Sequence, residues 1–212
     1  MFDILIVANG NIPPKNTWSD IRYDFLICTD GAAHTLQQFD ITPNVIIGDF
    51  DSLPNASLRF PISQVEKVDD QNTTDFEKAL QFCMKFSNKK IICVGALGGF
   101  ADHAIHNLSL LLRYSKQLDL CLLNPASEGR EWIFKLKPKM RIYTPQKSII
   151  SFFPFPEAFL TAPTLEWPLH RTHIKQIGYA AVRNRTTAES TDIECEGECL
   201  GFVGTYNYPI LD

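Results

Sequence analysis

Short, continuously apolar runs recur along the first part of the chain: Ile4–Ala8, Phe25–Cys28, Val45–Ile47, Ile91–Val94 and Leu118–Leu123. None alternates apolar with polar residues, as a half-exposed strand would, so each predicts a strand covered on both faces. Two stretches between them carry a helical rhythm instead. Asp75–Phe86 places Phe76, Ala79, Leu80 and Cys83 on one face, and Thr74 and Glu77 have the spacing of a capping box. His103–Tyr114 does the same with Ile105, Leu108, Leu111 and Leu112, and Asp102 stands where an N-cap is expected. Strands and helices in alternation imply an α/β architecture, a mostly parallel, Rossmann-like sheet with helices on its faces.

After Asn124-Pro125 the rhythm changes. Glu131–Leu136, Met140–Tyr143, Ser148–Phe153, Thr161–Trp167, Ile177–Val182, Asp192–Cys195 and Leu200–Tyr206 are short candidate strands, separated by Pro, Gly, Asn and Asp. No long amphipathic helix interrupts them, so an antiparallel β-sandwich is expected. The chain thus reads as two domains, residues 1–126 and 127–212.

Composition narrows the function. With 45% hydrophobic and 21% charged residues there is material for a real core. A net charge of −4 gives no pull toward nucleic acid or an anionic membrane, and an anionic substrate would need a metal or local donors. No apolar run reaches the roughly 18 residues that span a bilayer. The opening MFDILIVANGN lacks the basic start of a signal peptide and reads as a first strand. Of six cysteines, Cys28, Cys93 and Cys121 fall in apolar runs, and Cys195 and Cys199 lack a second ligand pair for zinc. A reducing, cytoplasmic setting is the expectation.

The chemistry lies in where the aspartates fall. Open α/β sheets bind ligands beyond the carboxyl ends of their strands. Asp30 follows the second apolar run, and Asp49 and Asp51 follow the third, in Gly48-Asp49-Phe50-Asp51-Ser52. Asp75 opens a helix, and Asp102 follows the glycine-rich Gly95-Ala96-Leu97-Gly98-Gly99. Carboxylates delivered to one sheet edge repel one another unless a hard cation such as Mg²⁺ lies among them. Taken singly, each has a plainer reading as a turn or a helix cap. The glycines match neither a P-loop nor a dinucleotide fingerprint.

These blocks resemble the thiamin pyrophosphokinase family. The resemblance is carried by Ile27-Cys28-Thr29-Asp30-Gly31-Ala32-Ala33, by Pro43 through Ser52, by Asp70 through Leu80, and by Gly98-Gly99 with Asp102-His103 and Asn107-Leu108. It implies an ATP- and Mg²⁺-binding catalytic α/β domain, a β-sandwich domain for thiamin binding and dimerisation, and a homodimer. Carried over by position, Asp49, Asp51 and Asp75 are expected metal ligands, with Asp30 and Asp102 as further active-site carboxylates. Gly31, Gln71, Thr74, Gly98, Gly99 and His103 are the expected nucleotide contacts. Asn184 and Trp167 are the expected thiamin contacts, although Trp167 also reads as a core residue of the sandwich.

Two departures stand out. Phe100 occupies the position where the family usually has arginine, and Arg183 the position where it usually has serine. The reaction implied is attack by thiamin's hydroxyl on the β-phosphorus of ATP, giving thiamin diphosphate and AMP. Alternatives are a pyrophosphokinase for another hydroxymethyl heterocycle such as a pterin, a D-x-D glycosyltransferase, or a non-catalytic nucleotide- or thiamin-binding protein.

Overall fold

A computed structural model describes the chain except for Ser52, Pro54, Ser87, Ser127 and Glu128, and apart from the side chain of Ile210. Ser52, the last residue of the Gly48–Ser52 block, therefore lies outside the described residues. The protein is mixed α/β and mostly strand, and divides into two compact units, Met1–Asn124 and Pro125–Asp212. No helix among the described residues is long and apolar enough to cross a membrane.

The first unit is built on β1 (Ile4–Val7), β2 (Phe25–Thr29), β3 (Val45–Gly48), β4 (Gln64–Lys67), β5 (Lys90–Val94) and the start of β6 (Asp119–Ala126). These pair in parallel in the order β6-β5-β1-β2-β3-β4. Leu5, Ile6, Ile27, Ile46, Ile91 and Ile92 are fully buried, as continuous apolar runs require of strands covered on both faces. The chain winds outward from β1 through β4, then returns to place β5 and β6 on the other side of β1. The winding therefore reverses between β1 and β5, and a crevice opens beyond the strand ends at such a point.

The helices are α1 (Asp30–Gln38), α2 (Ala56–Arg59), α3 (Asp75–Cys83) and α4 (Ala101–Tyr114). Two of the sequence expectations are corrected here. Helix α3 stops at Cys83 rather than Phe86, and the N-cap of α4 is Phe100, so Asp102 lies inside the first turn. The left-handed backbone of Gly98 and Gly99 (φ +85° and +70°) delivers the chain to Phe100 in an extended conformation, and this loop sets the helix start. Asp102 still meets the positive end of the helix dipole.

The second unit contains β7 (Gly129–Lys135), β8 (Lys139–Tyr143), β9 (Ile149–Ala162), β10 (Leu169–Lys175), β11 (Ala181–Arg185), β12 (Ser190–Gly204) and β13 (Ile210–Leu211). Its pairings are antiparallel. β9 and β12 pair along most of their length; β12 also takes β8 and β7, and β9 takes β10 and β11. Asp192–Cys195 and the part of Leu200–Tyr206 up to Gly204 are thus one strand, interrupted by a register shift between Gly197 and Cys199. Ile149–Phe153 and the start of Thr161–Trp167 likewise belong to one strand. Pro154 and Pro156, which supply no N–H to the ladder, stand opposite that irregular stretch, where a proline is tolerated inside a sheet. The six cysteines are all free and buried.

Candidate active site

Asp30 begins α1 directly after β2, so the fold sets it at the carboxyl edge of the sheet, and it is only 3% exposed. Its carboxylate accepts the N–H of Gly31 at 2.5 Å and that of Phe50, in the turn after β3, at 3.1 Å. Glycine at position 48 permits this approach, since a Cβ there would lie 2.7 Å from the Asp30 carboxyl carbon. Phe50 is left-handed, with φ +67°, a conformation that costs an L-residue about 1–2 kcal/mol. The Asp30 hydrogen bond therefore helps hold the turn that carries Asp49 and Asp51.

Asp49 accepts the N–H of Asp51 at 3.2 Å and Gln71 Nε2 at 3.3 Å. The Asp51 amide, with help from Gln71 and Lys78, holds the Asp49 carboxyl below its ordinary value against a partial loss of solvent. Asp75 opens α3 behind Thr74, whose Oγ1 accepts the N–H of Glu77 at 3.3 Å. Only this half of the capping box forms. The buried Glu77 carboxylate instead accepts from Arg113 at 2.9 Å and Tyr114 at 3.0 Å, tying α3 to α4.

Asp30, Asp49 and Asp75 each offer a carboxylate oxygen within 4.8 Å of the others. Lys78, one turn along α3, places Nζ 2.9 Å from Asp75 Oδ1 and 3.9 Å from Asp49 Oδ2. Three carboxylates and one ammonium leave these four groups a formal charge of −2, and all the acidic ligands are hard oxygens. That donor set suits Mg²⁺. Asp51 is exposed and lies outside the trio. Asp102 is also exposed, its carboxylate accepting the N–H of His103 at 2.8 Å.

Beside the trio a cleft of about 330 Å³ opens at the switch point, lined by residues that follow β1 and β5, by the end of β2, by the first turn of α3 and by the first two turns of α4. Thr74, Gly98, Gly99 and His103, all expected nucleotide contacts, line it. Gly31 does not; its missing side chain leaves room for Asn9, which does. Two further lining residues, Thr29 and Asn107, each carry a buried oxygen, Oγ1 and Oδ1, without a hydrogen-bond partner among the described residues. Asn107 Nδ2 donates to the Ala96 carbonyl at 2.7 Å, which fixes Oδ1 as the open acceptor. A buried polar atom left unsatisfied costs about 1–3 kcal/mol, and here both such atoms belong to residues of the cleft wall. Sequence reasoning gave Asn9, Thr29 and Asn107 no role. A polar residue just past an apolar run, as Asn9 and Thr29 are, was the available signal.

Residues 15–122, half of the chain, match the family model described as thiamin pyrophosphokinase, catalytic domain. The chain belongs to the thiamin pyrophosphokinase family. A thiamine pyrophosphokinase of Arabidopsis thaliana is 28% identical over 226 residues, covering 92% of this chain and 84% of that protein. The crystal structure of thiamine pyrophosphokinase from Bacillus subtilis superposes with a TM-score of 0.79 at 25% identity, covering 96% of this chain and 99% of that one. The Candida albicans thiamin pyrophosphokinase shares the fold, with a TM-score of 0.79 at 16% identity over 95% of this chain and 89% of that one.

Within this family framework the two departures are located. Phe100 is 78% exposed and lines the cleft, its ring 6.2 Å from that of His103. An aromatic face thus stands where a cation is usual. In the second unit Arg183 is exposed and left-handed (φ +56°), within the register shift between β11 and β9. Trp167 is 57% exposed, so it is not a core residue of that unit. Asn184 is buried and braces it: Oδ1 accepts the Trp167 N–H at 3.1 Å and Nδ2 donates to the Trp167 carbonyl at 2.7 Å. Asn184 Oδ1 also accepts the Arg185 N–H at 2.8 Å, so its amide is committed to holding the backbone that presents the indole.

Proposed function

We propose that this chain is a thiamin pyrophosphokinase that transfers pyrophosphate from ATP to the primary hydroxyl of thiamin, yielding thiamin diphosphate and AMP. The observation that carries this reading is the convergence of Asp30, Asp49 and Asp75 beside the cleft at the switch point of the sheet. In the transfer, the hydroxyl oxygen forms a bond to the β-phosphorus, the bond from that phosphorus to the α-phosphate oxygen breaks, and AMP leaves with that oxygen. The hydroxyl proton passes to a carboxylate at this edge. Phosphoryl transfers of this kind ask the protein chiefly to position reactants and offset charge.

Asp49 and Asp75 are the proposed Mg²⁺ ligands, with Asp51 joining from the same turn and Asp30 bracing that turn from β2. Bound there, the metal would neutralise charge on the phosphate oxygens. Thr29 and Asn107 orient the nucleotide, with Thr74, Gly98, Gly99 and His103 around them. Asp102 and Gln71 support the site electrostatically. In the second unit, read as a β-sandwich, Trp167 offers an aromatic face for thiamin's rings while Asn184 holds it in place. The homodimer follows the family resemblance, and the cytoplasmic location follows the reading of the cysteines as reduced thiols.

The test is AMP release by purified protein with Mg-ATP, with and without thiamin. Thiamin-dependent AMP is expected, falling at least about a hundredfold in Asp49→Asn while the circular dichroism spectrum stays unchanged. AMP release that ignores thiamin but responds to another hydroxymethyl heterocycle would move the reading to that substrate, and Phe100 in the cleft is the feature that would then explain it.

A further inference from the structure

Lys78 meets the carboxylates from the protein side. Its side chain is 2% exposed, whereas those of Asp49 and Asp75 are 22% and 33% exposed. The ammonium is thus closed off from solvent and does not face outward as a phosphate binder would. A buried lysine persists only where opposite charge compensates it, and here that charge belongs to proposed metal ligands. The shorter contact goes to Asp75 Oδ1, an oxygen a metal would otherwise use.

We propose that Lys78 is a resident counter-cation that holds Asp49 and Asp75 together while making the cluster a poor site for free divalent metal, so that metal is taken up together with the nucleotide. This rests on the reading of Asp49 and Asp75 as metal ligands. A free divalent ion approaching the cluster meets a fixed positive charge behind its ligands and must share an oxygen with it. A metal–nucleotide complex arrives with net negative charge, so the same lysine attracts it. Lys78 acts through the carboxylates and is a positioning residue. Its charge decides which form of the metal the site accepts.

The test compares the full chain with Lys78→Met and Lys78→Arg, measuring Mn²⁺ binding by loss of the free-ion paramagnetic resonance signal, with and without a non-hydrolysable ATP analogue. In the parent protein Mn²⁺ should bind weakly alone and much more tightly with the analogue. Lys78→Met should bind Mn²⁺ alone at least about tenfold more tightly, with most of the dependence on nucleotide gone and turnover reduced. Its melting temperature should rise with Mg²⁺ alone by more than the parent's does. Lys78→Arg, which keeps the charge, should restore the parent pattern.

Unchanged or weaker Mn²⁺ binding by Lys78→Met would overturn the proposal, as would a Lys78→Met chain that is unfolded and not restored by Mg²⁺. Asp75→Asn separates this failure from failure of the metal reading. If Asp75→Asn abolishes nucleotide-dependent Mn²⁺ binding in the parent background, the metal site stands whatever Lys78 does. If Asp75→Asn changes nothing, both readings fall.

Discussion

Thr29 is poised to respond with opposite signs to two measurements. The Thr29 hydroxyl is buried at the end of β2 without a partner among the described residues, so in the ligand-free chain it is a cost. Thr29→Val keeps the shape and removes that cost. The variant alone should be as stable as the parent, or more stable by up to about 1 kcal/mol. Affinity for ATP should fall about three- to tenfold, the worth of one hydrogen bond. Thermal melting without nucleotide and calorimetric titration of an ATP analogue check both halves. Lost stability with unchanged affinity would assign the hydroxyl to the fold instead of the site. The same reasoning shows why this residue was hard to read from sequence. Threonine just past an apolar run also passes as an ordinary last residue of a strand, and only the completed fold shows its oxygen to be unsatisfied.

Helices α3 and α4 meet the cleft from separate parts of the chain, and Glu77 joins them. Its Oε1 accepts from both Arg113 and Tyr114, and neither bond is local in sequence. Glu77→Ala should destabilise the chain by about 1–3 kcal/mol, because the buried Tyr114 hydroxyl loses an acceptor. Glu77→Gln, which keeps an acceptor oxygen, should cost less. Since α3 carries Asp75 and α4 carries His103 and Asn107, both variants should also raise KM for ATP more than they lower kcat. Denaturant midpoints and steady-state kinetics measure the two effects; full stability in Glu77→Ala would remove the brace. The sequence pattern foretold the Thr74–Glu77 spacing but not where the glutamate would go, because its partners lie 36 and 37 residues away.

The same limit runs through the other elements. Runs buried on both faces, such as those of β1, β2 and β5, were legible because continuous apolarity leaves few alternatives. Helix α1 was missed because Asp30-Gly31 reads as a turn and only Ala32, Ala33 and Leu36 are its buried apolar residues. Strand β4, Gln-Val-Glu-Lys at the sheet edge, has no apolar run at all. In β9 the two prolines read as a strand end, and the bulged partner that accommodates them cannot be seen locally. At the site, the aspartates were visible as residues after strands. That Asp30 joins Asp49 and Asp75 while Asp51 stands apart follows from the Phe50 turn and the gap at Gly48, which are three-dimensional facts.

At the scale of the molecule, each unit has a core of its own and its own buried thiols. Cys28, Cys83, Cys93 and Cys121 belong to the first unit, and Cys195 and Cys199 to the second. Burial pushes the Cys83 thiol up to about 12, and raises Cys28 and Cys93 as well. Native thiols of this kind should resist alkylation, since the thiolate is the reactive form and access is closed. Labelling in rising denaturant therefore reports where the chain opens, cysteine by cysteine. A ligand that binds only the folded state adds about 2.7 kcal/mol of stability at a hundred times its Kd, and the cleft lies in the first unit. Mg-ATP should therefore move labelling of Cys28, Cys83, Cys93 and Cys121 to higher denaturant than labelling of Cys195 and Cys199, as read by mass spectrometry of the modified peptides. Equal shifts at all six would mean that the molecule opens as a single cooperative body. A larger shift at Cys195 and Cys199 would place the nucleotide on the second unit and would count directly against the cleft beyond β1 and β5.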